Sequence, residues 1–458
     1  MKQERINGFA SVYIVIILSS LLLFLLTVLE FASGHAASAM CEDLTAVAGR
    51  SVLSEFCPEL YSRYGVFALR NTGNDAETLM KYYVDTGLPS DGVVRVIAAE
   101  CSVDADPYNG LCTSLFARQI IRLGELCAAK DLFDESEFLQ SAQQAALQES
   151  SAQSTSAANL DSLQEMAGFS DAEYDADGNC TKPESPSVRE TRKQASELLS
   201  RYQSAMDYDG RSFCGELSGD QKLNASLRKT LPSDLLDLQS LSPLLSGGIA
   251  DAGKAAFLED SYIVNVCGNQ VMPKESCYLK NETEYVLYGK ISDAQNARSA
   301  RVSIWGLRYA INMMELYSDQ IRMQKIVTEA STVFYLIPLP VAVFILASVE
   351  AGTDARQQLN DLLAGKSVPF SASVGREIDT YPDYLALLLL TLDEEVKLAR
   401  LMDVIQLDLT YCAGSSFRFI DYCYGFDVKI DYVKHGYFFG LTGIGDRHKE
   451  VFETFTYR

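Results

Sequence analysis

The longest apolar run stands near the N-terminus. Gly8 to Leu29, GFASVYIVIILSSLLLFLLTVL, carries no charged side chain and leads directly into Glu30. Its twenty-two residues, at about 1.5 Å of helical rise each, are long enough to cross a hydrocarbon core of roughly 30 Å, so the pattern predicts a transmembrane helix. The competing reading is a cleaved secretory signal, with Ala36-Ala37-Ser38-Ala39 as the small residues a peptidase would need. A signal's apolar region is usually about 7 to 15 residues, shorter than this run, and retention is the reading adopted.

Beyond the run the pattern stays helical. Phe31, Ala32, Ala36, Ala39, Met40, Leu44, Val47, Ala48, Val52 and Phe56 recur at helical spacing, and Pro58 marks a break. The expectation is a stalk over 30–57. Its small-residue face suits packing beside helices of other subunits or docking on the chain's own domain.

Farther along, helical periodicity is read at residues 76–87, Leu115 to Lys130, Glu135 to Gln148, Val188 to Met206, Asn281 to Ile326 and residues 381–409. A strand is read in VVRVIAAECSV and strands again over Ser416 to Phe439, pairing antiparallel. Residues 150–186 are rich in Ser, Ala, Gln, Asp and Glu and read as a flexible acidic insertion, while Leu223 to Ile249 is undecided. In the helix over 381–409 a leucine stripe is core, and Asp393, Glu394, Glu395, Lys397 and Arg400 are expected on an exposed face.

A second apolar run, Ala330 to Val349, also has the length of a span. Pro338 and Pro340 interrupt it, Arg322 and Lys325 precede it on the wrong side for a positive-inside topology, and a second crossing would return Cys412 and Cys423 to a reducing compartment. It is read as a buried core helix. The fold class is therefore α+β and mostly helical, with one transmembrane helix, a stalk, and a large extracytoplasmic domain closed by a small C-terminal antiparallel sheet. The segments are a cytoplasmic head at 1–7, the span at 8–29, the stalk at 30–57, and a domain at 58–149 and 187–458 around the insertion at 150–186.

Charge fixes the orientation. Lys2 and Arg5 precede the span, opposed only by Glu4, whereas Glu30, Glu42 and Asp43 follow it before Arg50, which places the N-terminus in the cytoplasm and the rest outside. With 61 acidic against 39 basic side chains the net charge is -22, which argues against a nucleic-acid partner.

All eleven cysteines lie beyond the span. Cys101 with Cys112, Cys267 with Cys277, and Cys412 with Cys423 enclose short turn-like segments and are the candidate disulfides; buried, reduced thiols are the other reading. Cys41 and Cys57 on one straight helix would be about 24 Å apart, too far to bond.

Candidate chemistry is sparse. Glu173, Asp175, Asp177, Gly178 and Glu184 have calcium-loop spacing, but Pro183 sits where an exit helix should form, and a solvated acidic turn is preferred. Three histidines leave little scope for imidazole chemistry. The chain has no GxSxG, HExxH or P-loop, and Ser226 with Lys229 is an isolated S-x-x-K. No catalytic, cofactor-binding or metal-binding residue is assigned, no cofactor is expected, and the chain is not read as an enzyme.

Several blocks resemble a known family: the short basic head, Gly8-Phe-Ala-Ser-Val-Tyr13 before the span, Ser51-Val-Leu-Ser-Glu-Phe56 and Glu59-Leu-Tyr-Ser-Arg-Tyr-Gly-Val-Phe-Ala-Leu69 after it, Glu284-Tyr-Val-Leu-Tyr-Gly289, Leu362-Leu-Ala-Gly-Lys-Ser-Val-Pro369, and Tyr384-Leu-Ala-Leu-Leu-Leu-Leu390 with Lys397, Arg400 and Asp403-Val-Ile-Gln406. The pattern resembles the TadE/TadG-like envelope proteins of Gram-positive bacteria, found with Tad (Flp-type) pilus components. The resemblance implies a single-pass, pseudopilin-like membrane protein that partners the lipid bilayer and other pilus proteins through its N-terminal helix. Pilin-like precursors carry Glu at the fifth position after the processing glycine; counted from Gly8 that position is Tyr13, so cleavage before Phe9 is left open. The alternatives from other classes are an anchored surface hydrolase and a ligand-binding ectodomain.

Overall fold

The computed structural model describes residues 2–88, 96–131, 159–174, 180–208, 211–212, 250–274, 277–370, 379–412, 414, 416–434 and 447–457. The helix expected over Glu135 to Gln148 and the undecided stretch ending at Ile249 lie outside these residues, as do parts of the acidic insertion. The described chain is α+β and mostly helical, and it divides into two compact units, Met1–Gln119 with Leu409–Arg458, and Ile120–Asp408.

The first unit is built on α1, an unbroken helix over Lys2–Leu53. Along the predicted span its large apolar side chains, among them Val12, Ile17, Leu22 and Phe24, stand more than half exposed, because no protein surface covers them. Among the described residues it is the one helix long and apolar enough to cross a membrane, which is compatible with a membrane anchor.

From Glu30 onward the same helix acquires a buried face. Glu30, Ala37, Cys41, Thr45, Ala48 and Val52 recur every three, four or seven residues and are all buried. They lie against a three-stranded antiparallel sheet of β1 (Val96–Asp104), β2 (Gly425–Lys434) and β3 (Arg447–Thr456), ordered β1-β2-β3. The helical face read as a stalk is thus core of its own unit, where small side chains let the helix backbone approach the strands. Gly49 marks the closest approach: a Cβ there would fall 2.3 Å from the Phe455 ring.

Phe426, Val428, Ile430 and Tyr432 of β2 alternate toward this core, joined by Val451 and Phe455 of β3 and by Ala76, Met80 and Val84 of α3 (Asp75–Gly87). Burial of each large apolar side chain contributes about 1.5–3 kcal/mol, so this layer stabilises both the sheet and the outer half of α1. β2 pairs with β1 from Val96↔Lys434 to Asp104↔Asp427 and with β3 from Gly425↔Thr456 to Lys434↔Arg447. The strand expected over 93–103 is present from Val96 to Asp104 and antiparallel pairing is present near the C-terminus, although β2 pairs with β1 and β3 and not within 416–439; residues 93–95 and 435–439 lie outside the described residues. Between α1 and α3, α2 (Pro58–Tyr64) opens on the expected proline break. α4 (Thr113–Asp131) follows β1.

The second unit packs helices α5 (Pro186–Met206), α6 (Ala250–Val266), α7 (Glu282–Tyr288), α8 (Asp293–Ser318), α9 (Gln320–Val333), α10 (Leu339–Leu363), α11 (Tyr381–Leu389) and α12 (Glu394–Tyr411), the last three residues of α12 belonging to the first unit. The second apolar run is no continuous helix. α9 ends at Val333, a turn carries the chain to Pro338, and α10 buries Val341, Ala342, Phe344, Ile345, Leu346 and Ala347, so the second half of the run is core, whereas Val333, Tyr335 and Leu339 in its first half are exposed. Arg308 of α8 ties this core together: its Nη1 donates to the carbonyls of Pro369 at 2.9 Å and Phe370 at 2.7 Å and to the Tyr384 hydroxyl at 3.0 Å, and its Nε donates to Gln358 at 2.8 Å.

One expectation about a face fails. The helix read over 381–409 breaks between Leu389 and Glu394, which turns the face of α12, and Lys397 is buried instead of exposed. Arg400 is half-buried, with Nη1 donating to the carbonyls of Leu287 at 2.6 Å and Val286 at 3.0 Å near the end of α7.

Candidate functional site

Three places concentrate polar chemistry. The first is the seam where α1 leaves its exposed apolar half. The Lys434 ammonium donates to Glu30 Oε1 at 3.1 Å and to Ser33 Oγ at 2.6 Å, and both charged groups are buried. Thr45 and Tyr432 hydroxyls meet at 2.9 Å, Lys449 pairs with Glu42 at 2.7 Å, and the Tyr457 hydroxyl donates to the Leu53 carbonyl at 2.6 Å. These bonds fasten the sheet along the helix from Glu30 to Leu53. Beside Gly34 opens a cleft of about 230 Å³ with His35, Cys41, Tyr432, Lys434, Arg447 and His448 among its walls. Burial pushes the Cys41 thiol up to about 11, which keeps it protonated and a poor nucleophile. The seam is built for attachment.

The second is a buried charge cluster in the helical unit. Lys397 Nζ lies 2.6 Å from Asp260 Oδ1 and 3.4 Å from Glu259 Oε2, and all three side chains are buried. Burial pushes Glu259 up to about 7 and Asp260 up to about 6, although the ammonium opposes both shifts. One cation facing two carboxyls leaves one charge in excess, and neutralising Glu259 relieves it. Its enclosure makes it a core ion cluster.

The third joins Cys277, Glu282 and Asp408, whose ligand-type atoms all lie within 4.8 Å of one another. Cys277 stands in the loop before α7, Glu282 opens α7, and Asp408 comes from α12. Glu282 and Asp408 are buried. Burial, with Glu282 nearby, pushes the Cys277 thiol up to about 12. Sequence reasoning assigned no ligand here, because Asp408 is remote in the chain and Cys277 was matched to its near neighbour in sequence.

None of the three expected disulfides is formed. Cys101, Cys112, Cys267 and Cys423 are all unbridged thiols. Cys101 lies on β1 in the apolar core, whereas the Cys112 thiol meets the Ser114 hydroxyl at 3.4 Å at the start of α4. Cys423 is buried in a short ladder with Leu69, while Cys412 is exposed after α12.

The acidic loop also gains no support. Its last acidic position, Glu184, accepts from Arg192 at 2.9 Å, while Glu173 belongs to a short hairpin with Lys182; Asp175, Asp177 and Gly178 lie outside the described residues. Ser226 and Lys229 lie outside them as well.

No curated protein matches the chain, and no solved structure does. A family model described as a family of unknown function (DUF5702) matches residues 237–376, under a third of the chain and wholly within the helical unit.

Proposed function

We propose that this protein is a membrane-anchored, extracytoplasmic and non-catalytic component of a Tad/Flp-type pilus system, acting as a structural or assembly subunit. The observation that supports this reading is α1. One continuous helix is exposed and apolar over its first half and becomes core of its own unit over the second. Lipid or other apolar helices must cover the first half, since exposed leucine and isoleucine in that number are unfavourable in water. Because the second half is fixed to the sheet by buried side chains and the Lys434 contacts, a helix held in a bundle would hold its globular unit with it. Lys2 and Arg5 before the span favour a cytoplasmic N-terminus.

The test is fractionation of the native host carrying the full chain with a C-terminal tag. Sheared surface fibres are separated from membranes and the mature N-terminus is determined in each. Tagged protein in fibres with Phe9 as its first residue identifies a processed subunit. An intact N-terminus confined to membranes together with co-purifying pilus proteins identifies an assembly factor. Tagged protein in neither complex nor fibre contradicts the proposal.

A further inference from the structure

The Cys277, Glu282 and Asp408 cluster has a donor set that the anchor and its seam do not use. Its two carboxylates are almost fully buried, Glu282 being 0% and Asp408 1% exposed. The two Glu282 oxygens are unequal: Oε2 accepts the Gly268 N–H at 2.9 Å, whereas Oε1 is buried without a hydrogen-bond partner. A buried carboxylate oxygen left so is unfavourable, and the Cys277 thiol, the side chain that hydrogen-bonds Glu282, is only a weak donor.

We propose that Cys277, Glu282 and Asp408 bind a divalent transition cation of the zinc class, with Cys277 as thiolate. A sulfur ligand beside two carboxylates suits zinc, whereas calcium and magnesium take oxygen ligands alone. The charges balance. A thiolate and two carboxylates carry three negative charges, and a divalent ion with the nearby Lys274 ammonium, whose charge acts on Glu282 and Cys277, supplies three positive ones. The cation gives Glu282 Oε1 its partner, and the Gly268 N–H on the other oxygen fixes the carboxylate's orientation, as outer contacts of metal ligands do. On binding, the Cys277 S–H bond breaks, its proton passes to solvent and the sulfur forms a bond to the metal, with no change of oxidation state.

Full-length protein in detergent, stripped with chelator under reductant, is titrated with cobalt(II) and then zinc. The expected result is one cobalt per chain with a thiolate-to-cobalt charge-transfer band, displaced by zinc. Cys277→Ser abolishes the band. Glu282→Gln and Asp408→Asn, folded by circular dichroism, weaken binding by at least about tenfold, the loss usual for removing even an outer-shell partner, whereas Cys412→Ser leaves binding unchanged. The proposal is overturned by a folded, reduced protein that shows no band, or by a band that survives Cys277→Ser. It is equally overturned if Cys277, in protein taken directly from membranes, is alkylated only after reduction, since that marks a disulfide.

Discussion

Lys434 reaches Glu30 across 3.1 Å at the point where α1 passes from exposed apolar helix to protein core, and it is the last residue of the central strand. A buried pair of this kind is costly to break from one side. Lys434→Met leaves the Glu30 carboxylate without its cation and should lower stability by about 3–5 kcal/mol, whereas Lys434→Met with Glu30→Leu should recover most of that loss. Denaturant unfolding of the detergent-solubilised chain, followed by the fluorescence of the tyrosine-rich sheet unit, measures both.

Gly49 gives a prediction whose sign is informative. In an exposed helix Gly→Ala stabilises by up to about 1 kcal/mol. Here the new methyl would meet the Phe455 ring at 2.3 Å, so Gly49→Ala should destabilise by about 1–3 kcal/mol. A rise in the melting temperature would mean that the sheet does not lie on α1 as described.

Arg308 donates from three nitrogens to carbonyl, amide and hydroxyl oxygens inside the helical unit. Lysine keeps the charge but cannot reproduce that fork, and Arg308→Lys should cost at least about 2 kcal/mol by leaving buried acceptors unmet. Limited proteolysis, with cuts near Phe370 appearing first, would show the loss.

The Lys397 cluster predicts a pH dependence. Burial raises Glu259 from 4.5 to about 7 and Asp260 from 3.8 to about 6, so the folded state holds these protons more tightly than the unfolded one. Stability from this source is complete below the unfolded values and is lost as pH rises through about 6 to 7. Glu259→Gln should therefore flatten the fall in melting temperature over that window. An unchanged slope would place the titration elsewhere.

How much of this was legible in the sequence depended on whether the signal was local. The long apolar N-terminal helix, its helical continuation over 30–57 and the strand over 93–103 are carried by contiguous patterns, and the fold has a helix to Leu53 and a strand from Val96 to Asp104. The second apolar run is legible as something other than a continuous span because Pro338 and Pro340 interrupt it, and it is core from Val341 onward. Lys397 is buried because four residues between α11 and α12 turn the helix face, a turn whose local mark is Asp393, which caps the start of α12 inside an otherwise continuous leucine pattern. β3 escaped notice since Arg447, Lys449 and Glu453 dilute the alternation of Val451 and Phe455. The three-residue thiol and carboxylate cluster could not be seen at all, because only the folded chain brings Asp408 to Cys277.

In the proposed arrangement α1 anchors the rest of the chain outside the cell. The most direct measurement is protease treatment of intact cells carrying a tag after Arg458, with membranes then washed at alkaline pH. The expected result is that the tag is removed while the N-terminal part of the chain stays in the membrane. A tag protected until the cells are lysed, or a chain washed free of the membrane, would contradict it.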